Sequence, residues 1–387
     1  MSSTTTSEGS PEPGRRVYLD SASGEALHPA ARRALEAALD TAYADPRRLH
    51  HAGRAARLVL DNARAATAEA LGVRPDEVTF ASSGTDAVQR GLLGLLGPGR
   101  GSGGEGPLVV HSAVEHSAVL HAAEWSGATT RSVGVDPAGR LRLDDLPPGA
   151  AGLAGATVVA CQSANHEVGT IQPVESVAER LDGVPLFVDA CASAGRLPLP
   201  QGWSALAASA HKWGGPAGVG VLVVRRGTRW HDPFPPDERA GERESGFENV
   251  PAVLAAAAAL QAVVAERAAE NARTNALVTR IRRVVGGLPD IDVVGDPVER
   301  LPHVVTFSCL YVDGEALVSE LDRLGFEVAS GSACTSSTLE PSHVLAAMGA
   351  LTHGNVRVSV GRGTTDDDVT RFLEALPGAV ERLRARI

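Results

Sequence analysis

Apolar and polar positions follow two different periods along this chain. Helical spacing of apolar residues runs through residues 29–43 and 53–71, and a strand-like run follows at 77–80. Helical spacing resumes at 86–96, after the small-residue turn Ser82-Ser83-Gly84-Thr85. Further short apolar runs recur at 108–110, 156–161, 186–188 and 219–224, alternating with helical patterns. This alternation predicts an α/β fold with a largely parallel sheet flanked by helices. A strand, a small-residue turn and a helix in succession also make an anion-binding helix start at Gly84 and Thr85.

The texture changes after an Ala-rich helical segment at 251–265. A polar helix at 270–285, short strands near 291–294 and 304–307, and helices near 315–324 and 366–383 predict a smaller α+β unit. The expected division is a tail at 1–16, a large domain at 17–262 and a small C-terminal domain at 263–387. The tail is rich in Ser, Thr, Gly and Pro and lacks the apolar run of a signal peptide, so it is expected to be disordered. The Ala-rich segment reads as too short to cross a bilayer, and no membrane association is expected.

An apolar fraction of 43% over 387 residues is enough for a substantial core. The net charge is −10 and no dense basic run occurs, so direct nucleic-acid binding is not expected and the partner is a small molecule or a protein. The expected location is cytoplasmic. Cys161, Cys191, Cys309 and Cys334 are widely spaced, with no paired CxxC, so no metal site is expected. The first three adjoin apolar runs and read as inert core thiols.

The basic residues are lopsided. Of 36, only Lys212 is lysine, and the other 35 are arginine. Guanidinium stays charged and delocalised, so arginine cannot serve where a neutral primary amine must attack a carbonyl. Lys212 is therefore a candidate Schiff-base former. It lies in Ser209-Ala210-His211-Lys212-Trp213-Gly214-Gly215-Pro216, just before the run at 219–224.

The chain also holds what a pyridoxal cofactor needs around such a lysine. Asp189, ending an apolar run, is placed to hold a pyridine nitrogen protonated. Gly84, Thr85, Ser209 and His211 offer N–H and polar side-chain groups for a phosphate. His116 offers a ring to stack on the pyridine face. Singly, an Asp ending a strand or a Ser-Gly-Thr turn is more often structural; together and in this order they point to one site.

With these residues in place, the sequence resembles the fold-type I pyridoxal-phosphate enzymes of the class V aminotransferase group, and within them the cysteine desulfurases of the NifS and IscS type. The resemblance extends over nearly everything after residue 16. It is carried by Tyr18-Leu19-Asp20, Leu49-His50-His51-Ala52-Gly53-Arg54, Glu115-His116, Asn165-His166-Glu167-Val168-Gly169, Val188-Asp189-Ala190, His211-Lys212 and Asn355-Val356-Arg357. Its most discriminating element is Ser330-Gly331-Ser332-Ala333-Cys334-Thr335-Ser336-Ser337 with Leu339-Glu340-Pro341-Ser342-His343, which looks like the cysteine loop of the long-loop desulfurases, here at about residues 329–341.

The resemblance implies pyridoxal 5'-phosphate as cofactor, L-cysteine as substrate, a homodimer with its site completed across the interface, and a protein sulfur acceptor. It implies that Lys212 holds the cofactor and shuttles a proton, that His116 stacks and assists acid/base steps, that Arg357 clamps the substrate carboxylate through a bidentate pair, and that Cys334 is the nucleophile receiving sulfur. Competing readings are an aminotransferase or lyase of the same fold, and a degenerate paralogue acting as a partner protein.

Three departures from the family pattern fall at the cofactor. The family usually has glutamine three residues after the aspartate, where this chain has Ala192, and asparagine where it has His166. His166 is expected to take over the cofactor's phenolic oxygen. In Glu244-Ser245-Gly246-Phe247-Glu248-Asn249, Phe247 replaces a threonine that usually reaches the neighbouring subunit's cofactor phosphate. Weaker cofactor retention is expected.

Overall fold

The computed structural model describes residues 15–97, 106–146, 149, 153–235, 243, 246–330 and 341–385. In chain order the elements begin with β1 (Val17–Tyr18), α1 (Pro29–Leu39), α2 (His51–Leu71), β2 (Val78–Ala81), α3 (Gly84–Leu96), β3 (Leu108–Ser112), α4 (Ser117–Trp125), β4 (Thr129–Val133) and β5 (Ala156–Ala160). They continue with α5 (Val174–Ala178), β6 (Leu186–Asp189), β7 (Ala205–Ser209), β8 (Gly220–Val224), α6 (Val250–Val285), β9 (Ile291–Val294) and β10 (Val304–Cys309). The last are α7 (Gly314–Arg323), β11 (Phe326–Glu327), α8 (His343–Met348), β12 (Asn355–Ser359) and α9 (Asp366–Arg384).

Seven strands form the main sheet in the order β2-β8-β7-β6-β5-β3-β4. The pairs β4/β3, β3/β5, β5/β6 and β6/β7 are parallel, and β8 is antiparallel to both its neighbours. Strands buried on both faces explain the unbroken apolar runs: β6, β7 and β8 have no exposed residue. One face packs on α3 and α4 through Val88, Leu92, Val119, Phe187 and Leu222. The other packs on α6 and the helices beside it through Leu206, Val221, Val223, Trp213 and Leu260. Gly91 lies where any Cβ would meet the Phe187 ring at 2.4 Å, so α3 can approach the sheet only with glycine there.

The segments at 251–265 and 270–285, expected as two helices, are one helix of 36 residues, α6. It is long and apolar enough to cross a membrane by length and composition, so the length argument against a span does not hold. In its apolar half Val253, Ala255, Ala256, Ala257, Ala259 and Leu260 are buried in the large core. Its later half contributes Leu277, Val278 and Ile281 to a second core, with Phe307, Val356, Val358 and Phe372 of a three-stranded antiparallel sheet, β12-β10-β9, and of α9. β1 pairs in parallel with β11, and Val17 and Leu19 lie in this second core, so the first strand of the chain packs with the C-terminal unit.

Candidate active site

The carboxyl ends of parallel strands are where an open α/β sheet presents a crevice, and the candidate residues gather there. His116 follows β3, His166 follows β5, Asp189 ends β6, Ser209 ends β7, and His211 and Lys212 follow it. β2 delivers Ser83, Gly84 and Thr85 to the same edge. The turn lies hard against the start of β8, since a Cβ on Gly220 would fall 1.9 Å from the Ser83 carbonyl oxygen. Arg357 arrives from β12 of the second unit.

All of these line one cavity of about 280 Å³. The structure therefore brings together Gly84, Thr85, His116, His166, Asp189, Ser209, His211, Lys212 and Arg357, residues spread over more than half the chain. Cys334 lies outside the described residues. Its flanks do not. Ala329 and Arg357 exchange backbone hydrogen bonds, with Arg357 N–H donating to the Ala329 carbonyl at 2.7 Å. On the other side the Ser342 hydroxyl donates to Glu167 at 2.6 Å, and a His343 ring nitrogen lies 2.9 Å from the Glu115 carbonyl oxygen. Both ends of the segment are thus tied to residues adjoining the cavity wall.

Local sequence explains how each side chain is held. Asn165 is fully buried. Its Oδ1 accepts from the N–H groups of Glu167 and Val168, and its Nδ2 donates to the Val114 carbonyl. This Asx turn, closed by Gly169 at φ 81°, presents His166 to the cavity. His116 caps α4, its Nδ1 accepting from Ala118 N–H at 3.1 Å, so the neutral ring carries its proton on Nε2. The His116 and His166 rings meet edge to face at 4.9 Å. One oxygen of Asp189 is fixed by the Cys191 N–H at 2.8 Å. Ser209 Oγ and His211 Nδ1 lie 3.0 Å apart. The Lys212 amine donates to the Ala22 carbonyl.

Electrostatics follow from burial. It pushes the His116 imidazole below the usual histidine range against the pull of Asp189, and it pushes His166 well below that range, helped by His116, Arg357 and Lys212. His211 falls to about 4, from burial and the Lys212 charge. The imidazoles around the lysine are therefore neutral at pH 7. Two carboxyls move the other way: burial raises Glu115 to about 8 and Glu167 to about 7, the latter opposed by the Ser342 hydroxyl.

Arg357 and Cys191 have surroundings that the sequence alone does not show. Arg357 is not an open fork. Its Nη2 donates to Asp20 Oδ1 at 2.8 Å and to Ser23 Oγ at 2.6 Å, Nη1 donates to the His166 carbonyl at 3.0 Å, and buried Nε has no partner among the described residues. A bidentate clamp on an incoming carboxylate requires Asp20 to yield. Cys191, expected as an inert thiol close to Asp189, lines the cavity, and burial beside Asp189 pushes its thiol well above the usual range. Cys161 and Cys309 are buried core thiols as expected. Sequence reasoning also missed Ser23, Gln162 and Asp20. Asp20 stood in a quoted motif, but nothing local told of a partner 337 residues away.

The donor set suits a pyridoxal phosphate. The chain's single primary side-chain amine, a carboxylate and a cluster of N–H and hydroxyl groups line one cavity. At the start of α3 a Cβ on Gly84 would lie 2.6 Å from Ser209, so only glycine keeps that end of the cavity open.

Comparison with known proteins agrees with this geometry. The family model for aminotransferase class-V matches residues 17–372. A cysteine desulfurase IscS from Dictyoglomus turgidum is 33% identical over 96% of this chain and 96% of its own length. An IscS-like cysteine desulfurase from Mycobacterium tuberculosis is 35% identical over 95% of this chain and 97% of its own. Among solved structures, a NifS-like protein superposes with a TM-score of 0.83 at 25% identity, covering 95% of this chain and all of that one.

Proposed function

The chain belongs to the class V aminotransferase family and is a pyridoxal-phosphate-dependent cysteine desulfurase of the NifS/IscS type, and from that premise we propose that Cys334 takes the sulfur of L-cysteine as a persulfide and passes it to a protein acceptor. The observation that carries this is the anchoring of both flanks of the Cys334 segment beside the cavity that holds Lys212. Cys334 is five residues from Ala329, which at roughly 3.3–3.6 Å per residue confines it to within about 18 Å of that anchor.

Pyridoxal 5'-phosphate, when bound, supplies an electron sink for bond breaking at the carbons of the amino acid. Lys212 Nζ would hold the cofactor covalently and carry protons at the substrate's carbon. Asp189 would hold the pyridine nitrogen protonated. Gly84, Thr85, Ser209 and His211 would hold the phosphate at the start of α3. Neutral His116 would stack on the ring, with Nε2–H available to donate. Neutral His166, beside Ala192, would donate to the phenolic oxygen. Arg357 would orient the substrate carboxylate.

The net step balances. The Cys334 sulfur forms an S–S bond with the substrate sulfur, the substrate C–S bond breaks, the thiol proton reaches the substrate carbon, and L-alanine leaves. The outer sulfur then moves to an acceptor thiol.

Two wider readings accompany this. Exposed Leu39, Tyr43, Leu49, Leu58 and Phe247 support a homodimer face, because the Arg47–Glu248 ion pair at 3.2 Å brings the Tyr43–Leu49 region beside Phe247. The free thiols of Cys161, Cys191 and Cys309 support a reducing, cytoplasmic compartment. Incubation with L-cysteine followed by peptide mass mapping tests the central reading. An added sulfur atom on the Cys334 peptide is expected; alanine release with that peptide unmodified, and persisting in Cys334→Ser, would overturn it.

A further inference from the structure

Beside the main cavity lies a second, far smaller chamber, with about 10 Å³ open to the centre of a water molecule, room for one water. His166, Ala192 and Lys212 line both spaces and form the partition between them. The chamber's remaining wall comes from Ser21, Ala22, Leu301, His303 and Val304. Lys212 Nζ donates to the Ala22 carbonyl, which belongs to a residue of this wall. The His303 side chain is almost fully buried and its Nδ1 has no hydrogen-bond partner among the described residues. A buried ring nitrogen without a partner is costly, and a water is the ordinary remedy where polar groups converge on a space of this size.

We propose that the chamber is a water site linking His303 to the Lys212 amine, which makes His303 a positioning residue for the reactive lysine. The water accepts from Lys212 and donates to His303. Burial and the surrounding guanidinium groups of Arg196, Arg357 and Arg300 keep the His303 ring neutral, and so an acceptor. The charged or titratable groups that line the main cavity with the lysine are Asp189, His116, His166, Cys191, His211 and Arg357; His303 lines only the chamber.

This rests on Lys212 being the reactive amine, and it is tested without cofactor or substrate, so its failure is separate from any failure of the desulfurase reading. Because Lys212 is the only lysine, reductive methylation of the cofactor-free protein reports on one side chain, with the α-amino group as internal reference. His303→Leu removes the water's acceptor and with it a hydrogen bond that favours the charged amine. The Lys212 methylation rate is expected to rise about fivefold, the equivalent of one hydrogen bond. His303→Gln, which keeps a neutral acceptor, should restore the rate to within about twofold. Val304→Leu, which fills the chamber and keeps His303, should raise the rate as His303→Leu does. Unchanged rates in both leucine variants, or His303→Gln behaving like His303→Leu, would overturn the proposal. So would a high-resolution crystal structure of the cofactor-free wild type with no density between His303 and Lys212, a measurement that needs no variant to fold.

Discussion

Asp20→Asn tests how the substrate carboxylate reaches Arg357. In the structure the guanidinium is almost fully buried, and Asp20 is its one carboxylate partner among the described residues, at 2.8 Å. A hydrogen bond to a charged group contributes about 1.5–3 kcal/mol. An incoming carboxylate must displace or share that bond, which weakens its binding by about 10- to 150-fold relative to an unopposed arginine. Asparagine keeps the shape and an acceptor oxygen but removes the competing charge. The Asp20 side chain is 22% exposed, which favours the lower end of the range. KM for L-cysteine is therefore expected to fall about tenfold, with kcat changed by no more than about threefold. The same change leaves a buried guanidinium without its anion. Breaking a fully buried pair costs about 3–5 kcal/mol, so with partial exposure the variant should lose about 1–3 kcal/mol of stability. Saturating L-alanine should recover that loss by supplying a carboxylate. Steady-state kinetics and thermal melts with and without alanine read both effects. A raised KM together with melts that alanine leaves unmoved would refute the competition, and would mean that Asp20 aims Arg357 instead.

Other sites give sharper single readouts. Glu115 is fully buried, accepts only the Gln162 N–H at 2.8 Å among the described residues, and is raised from 4.5 to about 8. Between those values the folded protein holds a proton that the unfolded chain has released, so stability falls as pH rises from about 5 to 8, by about 1.4 kcal/mol per unit. Glu115→Gln should remove that slope and, at pH 7, about 3 kcal/mol of cost; urea titrations at pH 5.5, 7 and 8 that stay parallel to wild type would exclude it. Phe247→Thr, which restores a hydroxyl at an exposed position before α6, should slow cofactor loss in dialysis about fivefold, the equivalent of one hydrogen bond. Equal loss from both proteins would show that cofactor retention does not depend on this position.

Much of the site was legible because its residues sit where apolar runs end, and the ends of parallel strands converge. Asp189, His116 and Lys212 needed no tertiary information to be placed at one edge of a sheet. β4 was not legible: Thr129, Thr130, Arg131 and Ser132 are all exposed on an edge strand, so no apolar pattern marks it. The continuity of α6 was hidden by a change of surroundings. Its first half is buried deeply enough to be Ala-rich, and its second half is amphipathic, yet Glu266-Arg267-Ala268-Ala269-Glu270 between them contains only good helix formers. The pairing of Arg357 with Asp20 and the chamber at His303 both come from segments distant in sequence, and no local period signals them. Cys191 follows an apolar strand and reads as an inert thiol; two residues beyond Asp189 it reaches the cavity wall, where burial keeps the thiol protonated.

The claim on which the rest depends is that Lys212, the one lysine of the chain, and Cys334 together convert cysteine to alanine. The most direct measurement is alanine formed from L-cysteine by wild type, Lys212→Arg and Cys334→Ser, with a mild reductant to regenerate the thiol. Wild type should release alanine and sulfide in equal amounts, and each variant should form neither. Arginine keeps the positive charge at residue 212 but offers no neutral amine, so undiminished alanine from Lys212→Arg, or a keto acid in place of alanine from the wild type, would contradict the account.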